Sequence, residues 1–123
     1  MKSVIDNYTI NSKVYTKDKC LISITIVIIH EYDIDKKFNY FEDYNKYKIL
    51  FEPIVKSITR DVLLLHYKDD IYDNYKKKNM YDEINKNIRK KLEKNGFIIN
   101  DILITDIKED KENKKPINNW WYF

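Results

Sequence analysis

The sequence predicts an α+β fold, an antiparallel β-hairpin plus a closing strand packed against several helices. Three observations carry this. Ile22, Ile24, Ile26 and Ile28 alternate with Ser23, Thr25, Val27 and Ile29, the period of two that belongs to a strand. Met80 (or Tyr81), Ile84, Ile88 and Leu92 recur at the spacing of an amphipathic helix. Gly96, the only glycine, follows that helix directly, where a left-handed residue is needed to end it. After it, Phe97 to Ile107 switch to a β-type pattern. A helix and a strand joined so tightly form one packing unit, with the apolar stripe laid on the sheet.

In chain order, Tyr8, Ile10, Ser12 and Val14 alternate with polar neighbours and predict a first strand from about Tyr8 to Tyr15. Thr16 to Lys19 is a turn without the glycine that makes a tight hairpin comfortable. The second strand should bury its even-numbered isoleucines and leave Ser23, Thr25, Val27 and Ile29 partly covered. Asp35 to Asn39 reads as a loop, and Asp43 as the cap of a helix beginning at Tyr44. Pro53 should break or kink that helix and open the next. Ile54, Ile58, Val62 and Leu65 form the next apolar stripe, and Lys68 to Asp73 is a short polar link. The basic helix follows from Asn74 or Tyr75 to Asn95. Residues 1–107 make one domain; 108–123 are a charged linker and an aromatic tail, Trp120-Trp121-Tyr122-Phe123.

Composition narrows the function classes. A chain of 123 residues with 43% hydrophobic content can bury one core and is not disordered. Charged residues make up 35%, yet the net charge is only +3, a mixed surface without the segregated positive field of a nucleic-acid binder. Cys20 is the only cysteine, so no internal disulfide forms and an intracellular, reducing compartment fits. Asp6 interrupts the apolar core a signal peptide needs. The longest apolar run, Leu21 to Ile29, is about half a membrane span.

Residues able to do chemistry are sparse. His30 and His66 have no cysteine or second histidine at ligand spacing, and ordinary packing explains them. Glu31, Asp33 and Asp35 share one face of an extended strand, as an acid/base or metal cluster would; a solvated strand end flanked by Lys36 and Lys37 explains them as well. Cys20 reads as a small core residue. One glycine excludes a phosphate-binding loop. No catalytic, cofactor or metal site is expected, and no small-molecule substrate.

Two surface features remain. Lys86, Arg89, Lys90 and Lys94 fall off the apolar stripe and make a basic face, with Lys76 to Lys78 ahead of them. It suits anionic lipid, each cation adding roughly 1 kcal/mol near a membrane surface. The competing reading is a solvated helix face damped by Asp82, Glu83 and Glu93. The four terminal aromatics are costly to leave in water. They dock on the chain's own sheet, dip into a membrane interface, or insert into a partner.

The order of these motifs resembles the SPFH (band-seven) family of stomatin, prohibitin, flotillin and HflK/HflC. Thr16-Lys17-Asp18 leads into the apolar strand from Cys20 to Tyr32. Then come Asp43-Tyr44, Pro53, and Ser57-Ile58-Thr59-Arg60-Asp61-Val62; Asp70-Ile71-Tyr72 enters the basic helix. Gly96 and the strand to Asp106-Ile107 close the series, with the prohibitin-like branch the best fit. The resemblance implies an SPFH-like domain acting as a non-enzymatic scaffold or interaction module. Its implied partners are proteins, itself or other SPFH members, at an anionic membrane surface; no nucleic acid is expected. The family's usual membrane-inserting start and its Ala/Glu-rich helix after the last strand have no counterpart here. The alternative is therefore a soluble, lipid-independent interaction domain that keeps only the fold.

Overall fold

Burial of the isoleucine strand sets the architecture. The structure, a computed structural model, describes residues 3–33 and 40–110, with side chains for residues 5–31, 49 and 51–110. It comprises β1 (Ser3–Tyr15), β2 (Leu21–Asp33), α1 (Tyr40–Leu63), a 3₁₀ turn (Lys68–Tyr72), α2 (Asn74–Lys94) and β3 (Ile98–Glu109). The strands form one antiparallel sheet in the order β1-β2-β3, so β2 is paired on both sides. Ile22, Ile24, Ile26 and Ile28 are buried to within 1%. Each contributes about 2 kcal/mol by leaving water. Ser23, Thr25, Val27 and Ile29, on the opposite face, are half-buried.

Both helices lie on the isoleucine face. Met80, Ile84, Ile88 and Leu92 of α2 are fully buried, as their spacing predicts. In α1 the stripe is rotated from the one expected. Phe51, Val55, Thr59, Val62 and Leu63 are the buried set; Ile54 and Ile58 flank it, and Leu65 lies past the helix end, 68% exposed. A threonine in the middle of the stripe hides it from a hydrophobicity pattern. Its hydroxyl donates to the Val55 carbonyl at 2.7 Å, so burying it leaves no unmet polar group.

Other details also differ from expectation. β1 begins at Ser3 because β2 runs on to Asp33 and the Ser3–Asp33 pairing extends the ladder through polar residues. Backbone hydrogen bonds, unlike side-chain burial, do not depend on an alternating pattern. Helix α1 begins at Tyr40, which places Asp43 in its first turn rather than at its cap. Pro53 neither breaks α1 nor opens a new helix. Pro53 and Ile49, the residue whose carbonyl loses its donor, are both exposed, so water can satisfy that oxygen. Cys20 sits half-buried in the turn before β2, not in the core. β3 continues two residues beyond Ile107 to Glu109.

Gly96 ends α2 as its position predicts. Its φ is +93°, its N–H donates to the Glu93 carbonyl at 3.0 Å, and the Phe97 N–H donates to Leu92 at 3.1 Å. These two bonds define a Schellman close, and Phe97 packs on the core beyond it. A Cβ at Gly96 would meet nothing within 4 Å, so the constraint is conformational and not steric. Gly96→Ala should therefore lower unfolding free energy by about 1 kcal/mol, and Gly96→Asn by less, in urea titrations.

Candidate functional site

The candidate surfaces are built on α2 and on the turns that hold it. Asp73 caps α2, its carboxylate accepting from the Tyr75 and Lys76 N–H groups at 3.0 and 3.1 Å. The apolar stripe then fixes which residues face water. Lys86, Lys90 and Lys94 are exposed. Arg89 is not part of that solvated row. Its guanidinium donates to the Ile99 carbonyl of β3 at 2.8 Å and lies 3.7 Å from Glu93. Asn85, one turn earlier, donates to the Ile102 carbonyl at 3.0 Å. Thus two polar residues of α2 are spent on the main chain of β3. Sequence spacing alone grouped Arg89 with the lysines; the signal that separates it is its position one residue from the buried Ile88. Lys78 pairs with Asp82 at 2.9 Å, so part of the basic character carries its own counterion.

The Thr16-x-Asp18 pair has a structural task. Thr16 is 1% exposed, and its hydroxyl donates to the Asp18 carboxylate while accepting from the Cys20 N–H at 3.1 Å. Asp18 also accepts from the Lys68 N–H at 3.0 Å, and the Lys17 N–H donates to the His66 carbonyl at 2.8 Å. The hairpin turn is thereby tied to the segment after α1. Without a glycine, the turn places Lys19 at φ +64°, a strained conformation that these bonds hold. The Thr16 hydroxyl bond, with the Lys68 N–H and ammonium behind it, holds the Asp18 carboxyl below its usual range.

Asp70 closes the same region. It accepts from the Tyr67 N–H at 3.1 Å, and its carboxylate lies 3.3 Å from His66 Nδ1 and 3.8 Å from the Lys76 ammonium. Ile71 beside it is buried. His66 is therefore engaged by Asp70 and, at 3.7 Å, by Glu83. His30 is buried at 1% and packs edge-on against Phe51, ring centroids 4.9 Å apart. Glu31 stands near the end of β2, half-exposed; Asp33 is the last residue of that strand, and Asp35 lies outside the described residues. Among the described residues no three His, Cys, Asp or Glu side chains come together as a metal site would require. Burial and, secondarily, Asp106 raise the Tyr81 hydroxyl above its ordinary pKa. Trp120, Trp121, Tyr122 and Phe123 lie outside the described residues.

With this geometry in place, the comparison with protein families is decisive. The model of the SPFH domain / Band 7 family matches residues 3–119. The chain belongs to that family. No curated protein matches it. SPFH-domain proteins are generally membrane-associated scaffolds and generally non-enzymatic. The match spans every element of this SPFH domain and extends past Ile107, but it does not distinguish the family's branches. Among the described residues, no helix of the SPFH domain is long and apolar enough to cross a membrane.

Two outcomes follow from the bonding. Asp18→Asn should lower the urea midpoint at neutral pH. Because folding depresses the Asp18 pKa, its contribution is present above the unfolded value and lost as pH falls through the folded one. Mutant and parent midpoints should therefore converge in acid. Arg89→Ala should cost about 1–2 kcal/mol, whereas Lys90→Ala should stay within about 0.5 kcal/mol, by the same titration.

Proposed function

We propose that this SPFH domain is a non-enzymatic scaffold or protein-interaction module. It works at the periphery of an anionic membrane in a reducing compartment and joins assemblies of related proteins. The family match over residues 3–119 carries the reading. The exposed Lys86, Lys90 and Lys94 on one side of α2 support the membrane-peripheral part, as does the aromatic sequence from Trp120 to Phe123. The ordered motifs favour the prohibitin-like branch, with copies of this chain or other SPFH proteins as partners.

A lipid-independent interaction domain is the second reading. The carboxylates that pair within α2, Asp82 with Lys78 and Glu93 with Arg89, favour it by weakening the field at the helix surface.

Flotation with phosphatidylserine vesicles separates the two. The parent chain should float, while chains lacking Trp120 to Phe123 or carrying Lys86→Glu, Lys90→Glu and Lys94→Glu together should float less. A parent chain that stays at the bottom of the gradient at low salt removes the membrane-peripheral reading. Light scattering across concentrations then tests assembly, which requires a mass above that of one chain.

A further inference from the structure

Between residues 12–15 of β1 and the helix α1 lies an open cleft of about 500 Å³. Small-molecule sites span roughly 300–1,000 Å³, so the cleft has room for a ligand. Its walls follow from the packing of the two elements. On α1, Val55, Thr59 and Leu63 are buried against the sheet. The next position along each turn, Lys56, Arg60 and Leu64, therefore falls beside the buried row and lines the cleft, together with Pro53 and Ser57. On β1, Ser12 shares the inward side of the strand with the buried Ile10 and Val14. Its side chain is thereby directed toward the helices.

The chemistry of these walls is one-sided. Among the described residues that line the cleft there are cations and hydroxyls but no carboxylate. Lys13 is committed elsewhere, to Asp110 at 3.0 Å. Lys56 and Arg60 stand one helical turn apart, about 6 Å along the axis. Arg60 donates to the Ser57 hydroxyl at 3.3 Å, which leaves that hydroxyl its own proton for another acceptor. Lys56 and Arg60 pair with Glu52 at 3.1 Å and Asp61 at 3.3 Å, but all four side chains are 46–67% exposed. Such exposed pairs hold weakly and exchange partners readily. Glu52 also keeps the Tyr8 hydroxyl, at 3.1 Å, when Lys56 turns away. The Ser12 hydroxyl points to a missing acceptor. Ser12 is 6% exposed, and its oxygen has no hydrogen-bond partner. A buried polar group left so is an exception in folded chains, and a bound ion or ligand is one way to complete it.

We propose that this cleft binds a phosphate monoester. Lys56, Arg60 and the Ser57 hydroxyl hold the phosphate, one of its oxygens meets Ser12, and the apolar remainder lies against Pro53 and Leu64. Charge and geometry select this head group. A monoester carries about −1.5 to −2 charge at pH 7 and three terminal acceptor oxygens, enough to engage an ammonium, a guanidinium and a hydroxyl together. A carboxylate brings one charge and two oxygens. The planar fork of Arg60 suits two phosphate oxygens at once. The same head group occurs on membrane lipids and on soluble metabolites. The site lies on α1, apart from the α2 lysines, and stands independently of the scaffold reading.

The test titrates the full, isotope-labelled chain with phenyl phosphate and follows amide NMR shifts. Saturable shifts should centre on residues 12–15 and 53–64. Binding should be tighter at about pH 8 than at about pH 5, because the second phosphate proton leaves near pH 6. Lys56→Gln with Arg60→Gln should weaken it at least about tenfold, and Ser57→Ala by less. Circular dichroism should show the two exposed substitutions leaving the fold intact. Benzoate, with the same ring and a carboxylate, should bind more weakly. Glycerol 3-phosphate and a short-chain phosphatidic acid below its micelle concentration then separate the two sources: tighter binding of the lipid assigns a lipid head group, and equal binding assigns a soluble phosphate. Failure of phenyl phosphate to saturate, shifts centred instead on Lys86, Lys90 and Lys94, equal binding of benzoate, or indifference to the double substitution each overturns the proposal. Flotation reads α2 and the aromatic end, so a chain that floats yet ignores phenyl phosphate loses this site and keeps the scaffold reading.

Discussion

The rest of the structure depends on the double pairing of β2. A strand with neighbours on both sides satisfies its main chain within the sheet, which lets it bury one whole row of isoleucines without stranding polar groups. That row is the floor on which both helices rest. The stripe of α2 and the Phe51–Val55–Thr59 row of α1 face it, and Phe51 joins the two halves by ring contacts to His30 and Phe97. Every surface feature takes its orientation from this arrangement, because the buried stripe of a helix decides which of its residues are left outside.

A second layer of organisation lies in the connections. The chain uses one glycine, so most of its turns are held by side chains and not by conformational freedom. Thr16 and Asp18 fix the hairpin turn and tie it to Lys68; Asp70 closes the 3₁₀ turn; Asp73 starts α2. These residues include three of the motif positions by which the sequence resembles SPFH domains, Thr16, Asp18 and Asp70, and their structural work is to fix the geometry of the module. Polar motif residues thus explain the fold here before they explain any activity.

The surface shows the same division of labour. Arg89 and the lysines of α2 are equal in charge and close in sequence, yet one serves the sheet and the others face solvent. Treating them as a single basic patch overstates the field available to a membrane. The asymmetry extends to the sheet edges. Side chains from α2 occupy carbonyls of β3, whereas the β1 edge faces a cleft with cations and no carboxylate.

Much of this was legible in the residues. The alternation from Ile22 to Ile29, the stripe from Met80 to Leu92 and the role of Gly96 follow from period and backbone conformation, which are local properties. The order of motifs pointed to the family for the same reason, since turn and cap chemistry is written in short spans. What sequence could not supply were quantities set by contact between distant segments. The centre of the α1 stripe falls on Thr59 because that side chain satisfies itself against Val55, and the start of β1 is decided by how far β2 extends. Pro53 stays inside α1, on a stretch where it and Ile49 are both exposed and water can reach the main chain. Arg89 leaves the basic face because β3 passes beneath it. The sequence by itself determined which segments become strand or helix and which side of each is apolar. Only the tertiary structure decided which polar groups meet across the chain, since hydrogen-bond partners are chosen by distance in space and not by spacing in sequence.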